Sequence, residues 1–214
     1  MNDLVIVGAG GLGREVAWMV ERINQVNPKW NLLGFIDDSE KLKGSIVNGY
    51  PVLGSTEWLN KNKFNNLFAV CAIGASKVRK AVVSRLENVK FATLIDPMAL
   101  ISDKVKIGEG SIICANSVLT VDITIGLHNI INIDCTIGHD AILQDFVTLY
   151  PSVNISGNTF IGECVEMGTG SQIIQGVKVG EDTIVGAGAV IVKDLPRKCT
   201  AVGVPAKPIK FSTL

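Results

Sequence analysis

Two imidazoles, His128 and His139, are all the chain possesses, and an imidazole with a pKa near 6.5 is the side chain best matched to taking a proton at neutral pH. Two are too few for a three-histidine zinc centre, so catalysis by a metal held that way is not expected. Asp140 follows His139 directly. A second group of candidates stands near the start, where Gly8-Ala9-Gly10-Gly11-Leu12-Gly13 follows the apolar run Leu4-Val5-Ile6-Val7. A strand, a glycine turn and a helix N-terminus make an anion site, because glycine lets backbone N–H groups approach a phosphate and the helix dipole favours its charge. Asp37 and Asp38 end a further apolar run, Leu32-Leu33-Gly34-Phe35-Ile36, where carboxylates can accept hydrogen bonds from a ribose or a base. The five cysteines, at 71, 114, 135, 164 and 199, are odd in number and form no Cys-x-x-Cys. That argues against a disulfide framework and a zinc ribbon, and for a reducing cytoplasm.

These residues must be positioned by two kinds of chain. From Ile101 to Ile191, every sixth residue is Ile, Leu, Val or Met, at sixteen positions without an insertion. A helix needs a spacing near 3.6 and a heptad coil 3.5, so a strict six fits neither. The pattern suits a strand that turns a corner after each hexad: an aliphatic anchor inside a prism, a small or β-branched filler four places later, and glycine where the backbone bends. Gly108, Gly126, Gly138, Gly162 and Gly180 directly follow anchors and are expected at those bends. In this register His139, two places after Ile137, points outward, as does His128, which reads as a solvated or interface residue. Cys135 falls at a filler position, and Ser152 has no sequence partner to activate it, so neither reads as a nucleophile.

The first ninety residues differ in character. Eight of the twelve aromatic residues lie before position 92, including all three Trp. Residues 4–7 read as a strand, not as the apolar part of a signal peptide. The glycine string then enters a helix whose apolar residues Val16, Trp18, Met19, Val20 and Ile23 suit a half-buried face, and Phe68 to Ile73 reads as a buried strand closing at Gly74 before a helix over about 76–88. The glycines and Asp37 alone would suit a dinucleotide, but only about 95 residues precede the repeat, half of a full dinucleotide fold, so a mononucleotide or nucleotide-sugar is the more economical ligand. Lys plus Arg and Asp plus Glu balance at 20 each, which gives no field toward nucleic acid or an anionic membrane. No apolar run approaches the roughly 20 residues of a membrane span, and the mean hydropathy of +0.36 points to very regular burial.

Residues 95–195 resemble the hexapeptide-repeat acyltransferases, and the whole chain resembles the bacterial sugar acetyltransferases of sialic acid, bacillosamine, perosamine and viosamine type. The likeness is carried by the glycine loop, Phe35-Ile36-Asp37-Asp38, Pro51-Val52-Leu53-Gly54, Ala72-Ile73-Gly74, Leu94-Ile95-Asp96-Pro97, Gly138-His139-Asp140 and Val202-Gly203-Val204-Pro205-Ala206-Lys207. It implies an N-terminal Rossmann-like α/β domain (1–95), a left-handed parallel β-helix of about 18 residues per coil (96–200) and a tail (201–214) beside the CoA site. It also implies acetyl-CoA as co-substrate, no metal, a nucleotide-linked amino sugar as acceptor, and a cytoplasmic homotrimer. In its terms His139 is the general base and Asp140 the carboxylate that steadies it. Gly10, Gly11, Leu12, Asp37, Asp38 and Gly74 hold the nucleotide-sugar, while Thr148, Gly157, Thr169 and Ala187 contact CoA. Leu12 and Thr148 stand where many members have histidine. With one coil per 18 residues, Gly157 stacks beside His139 and is expected to leave an opening there for the thioester. O-acetylation of a free sugar such as sialic acid, and a non-catalytic nucleotide or NAD module, remain the competing readings.

Overall fold

The structure, a computed structural model, describes residues 1–61, 66–87 and 89–212. It divides into two compact units, Met1–Pro97 and Met98–Leu214, so the boundary falls two residues beyond the expected one and the tail belongs to the second unit.

In the first unit the chain runs β1 (Asn2–Val7), α1 (Gly11–Val26), β2 (Trp30–Ile36), β3 (Ile46–Val47), β4 (Tyr50–Gly54), α2 (Thr56–Lys61), β5 (Phe68–Cys71), α3 (Ser76–Val83) and β6 (Lys90–Phe91). The sheet order is β3-β4-β2-β1-β5-β6, parallel throughout except for the β3–β4 pair. Leu4, Val5, Ile6 and Val7 are all buried, as expected of a central parallel strand covered on both faces. Helix α1 buries Val16, Ala17, Met19 and Val20, but Trp18 is 56 % exposed. Two residues away from both Val16 and Val20 is the far side of a helix, which corrects its placement on the buried face. Strand β5 stops at Cys71, before Ile73, and α3 ends at Val83, short of the expected 88, a position outside the described residues. Arg22 on α1 grips the buried carboxylate of Asp96 through Nε and Nη2, at 3.0 and 2.9 Å, while its guanidinium lies 4.9 Å over the Trp18 ring. The Leu94-Ile95-Asp96-Pro97 segment is thereby fastened to α1.

The second unit is a parallel β-helix. From Leu100–Ile101 to Val190–Ile191 each strand is two residues long, an anchor and the residue before it, and strands 18 residues apart pair in parallel: Leu119 with Ile137, Ile137 with Ile155, Ile155 with Ile173, Ile173 with Ile191. Ile113, Ile131, Leu149, Met167 and Val185 make a second column, and Ile125, Leu143, Ile161 and Val179 a third. Every anchor from Ile113 to Ile191 is at most 2 % exposed, while Ile101 and Ile107, in the first coil, are half-buried. Two polar fillers find acceptors inside the prism, Ser111 and Ser117 donating to the carbonyls of Gly126 and Asn132 at 3.2 and 2.9 Å, whereas the buried Oγ of Ser171 and Nδ2 of Asn129 have no hydrogen-bond partner among the described residues.

The corners are not where the glycines suggested. From Gly110 to Gly188 every sixth residue, three places after an anchor, has φ between +53° and +78°. Asn or Asp holds six of these left-handed corners, and their short side chains tolerate that region best after glycine. The glycines that directly follow anchors have ordinary φ and serve close approach instead. A Cβ on Gly138 would lie 2.7 Å from the amide nitrogen of Gly157 in the next coil, and one on Gly162 would lie 2.5 Å from that of Glu181. The helix closes on Cys199–Val202, parallel to Ile184–Val185, and Lys207–Phe211 returns antiparallel along it. Gly162→Ala is therefore expected to cost about 1–3 kcal/mol of stability, the range for overpacking, while Asn158→Gly, at a left-handed corner, does not destabilise. Urea midpoints at unchanged slope test this; an unaffected Gly162→Ala variant would contradict the close approach.

Candidate active site

All six residues expected to hold the acceptor, Gly10, Gly11, Leu12, Asp37, Asp38 and Gly74, line one cavity of about 510 Å³ in the first unit, at the carboxyl ends of β1, β2 and β5. The four glycines of the loop divide the work. Gly8 takes φ +101°, and a Cβ on Gly13 would strike the carbonyl of Gly8, so these two shape the turn and seat α1. Gly10 and Gly11 have open space where a side chain would be and expose the start of α1 to the cavity. No acidic side chain lies in the first turn of that helix, which leaves its dipole available to an anion.

The carboxylates do more for the protein than expected. Asp37 accepts from the amides of Ala9 and Ser39 at 2.8 and 2.9 Å, so it braces the glycine loop. Asp38 accepts from the amide and hydroxyl of Thr56 at 2.8 and 2.9 Å, at the head of α2. Sequence reasoning missed several neighbours. Val78, Val82, Thr56 and Arg85 also line the cavity. Arg79, on α3, is fully buried and donates to the carbonyls of Ile73 and Gly74 at 2.6 and 3.0 Å, which fixes the loop after β5. An arginine in a helical stretch reads as surface, and no spacing signal distinguished this one.

In the second unit His139 is exposed on the outside of the coil, as its register required. Its Nδ1 lies 2.8 Å from Oδ2 of Asp140. Consecutive side chains on an extended strand diverge, but Asp140 is a left-handed corner with φ +60°, and the turn brings its carboxylate back to the ring. With Nδ1–H donated to that carboxylate, Nε2 is left as the basic nitrogen. Gly157 does lie in the next coil against His139, whose carbonyl accepts from the amide of Asn158 at 2.7 Å. The expected opening is absent. A Cβ on Gly157 would lie 2.6 Å from Nε2 and 2.7 Å from Cε1, so the imidazole itself fills the space and the glycine is what lets it settle there.

His139, Gly157, Thr169 and Ala187 share one place in the hexad, two after the anchor. The coil ladder uses the amides on either side of it: Gly168 and Gly170 donate to Val185 and Pro151, Gly186 and Gly188 to Ala201 and Thr169. The amides of Thr169 and Ala187, both exposed, stand outside that ladder, one coil apart. Thr148 does not share this position. It is 1 % exposed, and the Tyr150 hydroxyl, two residues on, donates to Glu166, its strand neighbour, at 3.2 Å. A contact from its side chain to a ligand outside the coil is therefore not supported.

His128 is not solvated. It is buried at a left-handed corner, φ +53°, and stacks on Phe146 with ring centroids 5.1 Å apart; a Cβ on Gly110 would collide with its ring. It is a packing histidine. Cys135 is fully buried as its register implied, and burial pushes its thiol up to about 12, which removes it as a nucleophile at neutral pH. Ser152 donates to Asp134 at 3.0 Å. Among the described residues no group of three or more His, Cys, Asp or Glu could hold a metal, and no helix is long and apolar enough to cross a membrane.

Residues 3–86 match the family model described as the PglD N-terminal domain. The chain is 33 % identical to the GDP-perosamine N-acetyltransferase of Escherichia coli O157:H7, over 99 % of this chain and 98 % of that protein. Among solved structures, the acetyltransferase domain of PglB from Neisseria gonorrhoeae, in complex with acetyl coenzyme A, superposes with a TM-score of 0.88 at 33 % identity, covering 98 % of this chain and all of that one. A histidine-to-asparagine mutant of perosamine N-acetyltransferase from Caulobacter crescentus, in complex with CoA and GDP-perosamine, superposes with a TM-score of 0.85 at 29 % identity over 98 % of each chain. With two histidines to follow, ring resonances report the His139 site directly: Gly157→Ala is expected to shift those of His139 and to leave those of His128 in place. An unmoved His139 would show that Gly157 does not carry the ring.

Proposed function

Because this chain belongs to the hexapeptide-repeat acetyltransferase family that includes GDP-perosamine N-acetyltransferase, we propose that it transfers the acetyl group of acetyl-CoA to the amine of a nucleotide-linked amino sugar. The observation that carries this reading is the His139–Asp140 pair seated on Gly157, in a chain alike from end to end to an N-acetyltransferase. The cavity of the first unit takes the nucleotide, with its phosphates at the head of α1. CoA lies along the coils, held in part by the amides of Thr169 and Ala187, and the tail packs nearby. Assembly as a trimer in the cytoplasm, with CoA between neighbouring subunits, completes the proposal.

The chemistry follows from the dyad. As the amine nitrogen bonds to the thioester carbon, Nε2 of His139 takes its proton, and Asp140 stabilises the imidazolium that results. The amide of Gly157, beside the ring, can donate to the oxyanion. The C–S bond then breaks, and CoA leaves as the thiol with the proton that His139 held. A nucleophile on the protein is not required.

His139→Ala should lower turnover by about 10²–10⁴-fold, the usual worth of a general base, with acetyl-CoA affinity nearly unchanged. Asp140→Asn should cost less, because it misorients the base without removing it. Acetylation of a panel of nucleotide-linked amino sugars and free sialic acids, followed by mass, tests the acceptor. Turnover of the free sugars alone, or an active His139→Ala enzyme, would contradict the reading.

A further inference from the structure

Arg85 is the single cation among the described residues that line the first unit's cavity, and the reading above makes no use of it. It follows α3 and is held in place on several sides. Its amide donates to Val82 at 3.0 Å and its Nε to Ala81 at 3.2 Å, and its carbonyl accepts from Nδ2 of Asn60 at 2.6 Å. Nη2 then stands 3.6 Å from Oδ2 of Asp38, with both side chains about half exposed. That is too long for a good hydrogen bond, so donor and acceptor face the cavity side by side without closing on each other. Oδ1 of Asp38 is taken by Thr56, whereas Oδ2 has only a 3.2 Å contact to the Thr56 hydroxyl and keeps acceptor capacity.

We propose that Arg85, together with Asp38, reads the edge of the nucleobase; this rests on the cavity being the nucleotide site. The Watson–Crick edge of every base sets a hydrogen-bond donor beside an acceptor. Oδ2 of Asp38 accepts from the base N–H, and the guanidinium, which has donors alone in a planar fork, donates to the neighbouring ring nitrogen or carbonyl oxygen. Val78 and Val82 provide the apolar wall for the face of the ring. A phosphate is the wrong occupant here, because it would lie against the Asp38 carboxylate. The glycine end of the cavity offers a phosphate the head of α1 with no acidic side chain in its first turn.

Calorimetric titration of the intact protein with ADP, CDP, GDP and UDP, and then with the nucleoside of the best-bound diphosphate, tests this. Arg85→Ala should weaken the preferred diphosphate about 10-fold or more, the scale of a hydrogen bond to a charged group. It should weaken the matching nucleoside by the same factor and leave the melting temperature unchanged. Arg85→Lys should recover little, since an ammonium lacks the fork. A loss confined to the diphosphate would assign Arg85 to the phosphates, and no loss at all would make it a bystander; either overturns the proposal. If the unaltered protein binds no nucleotide, the reading of the cavity falls first, and this inference with it.

Discussion

Residues 18 apart lie one above the other in the second unit, and a left-handed residue at every sixth position keeps that stacking in step. Everything at the candidate active site depends on this. The ladder holds His139 on the outside of its coil, sets Gly157 against the imidazole and lets the ring settle where a methyl group would collide with it. The same corner geometry makes Asp140 the partner of its own neighbour, because a positive φ breaks the alternation that would otherwise send the two side chains apart. A dyad made of adjacent residues is thus a consequence of the repeat and needs no distant element to assemble it.

The first unit works by a different economy. Its cavity and the loop after β5 are held by polar groups already engaged with the protein: Asp37 on the glycine loop, Asp38 on Thr56, Arg79 on the carbonyls of Ile73 and Gly74. Such internal ties hold the cavity walls in place before a ligand arrives, which lowers the ordering cost of binding. The exposed amides at the head of α1 and the open ground at Gly10 and Gly11 are then what remains for an anion.

Much of this was legible from residue spacing. The sixteen anchors read as inward because a period of six over so long a run has no helical or flat-sheet explanation, and the outward register of His139 followed from it. What the spacing could not separate was the two uses of glycine. A glycine directly after an anchor looks like a bend, but the bends lie two residues later at Asn, Asp and other residues, and the glycine is there because the next coil is near. The place of Gly157 beside His139 follows from the spacing but the filling of the space between them does not, because stacking is periodic and the tilt of a ring is not. The corner position of His128 points outward and suggests a solvated or interface residue, whereas its burial against Phe146 depends on contacts between coils that no single hexad reveals. Arg79, a charged residue without a partner in the pattern, carried no signal of burial.

The proposed reaction depends on one contact, between Nε2 of His139 and the amine that is to be acetylated. A crystal structure of the His139→Asn variant with CoA and a nucleotide-linked amino sugar bound would measure it. The acceptor nitrogen is expected within about 2.6–3.2 Å of the side chain at position 139, the reach of a general base, on the side where the thioester sulfur lies. An amine held by a different side chain, with position 139 out of reach, would contradict it.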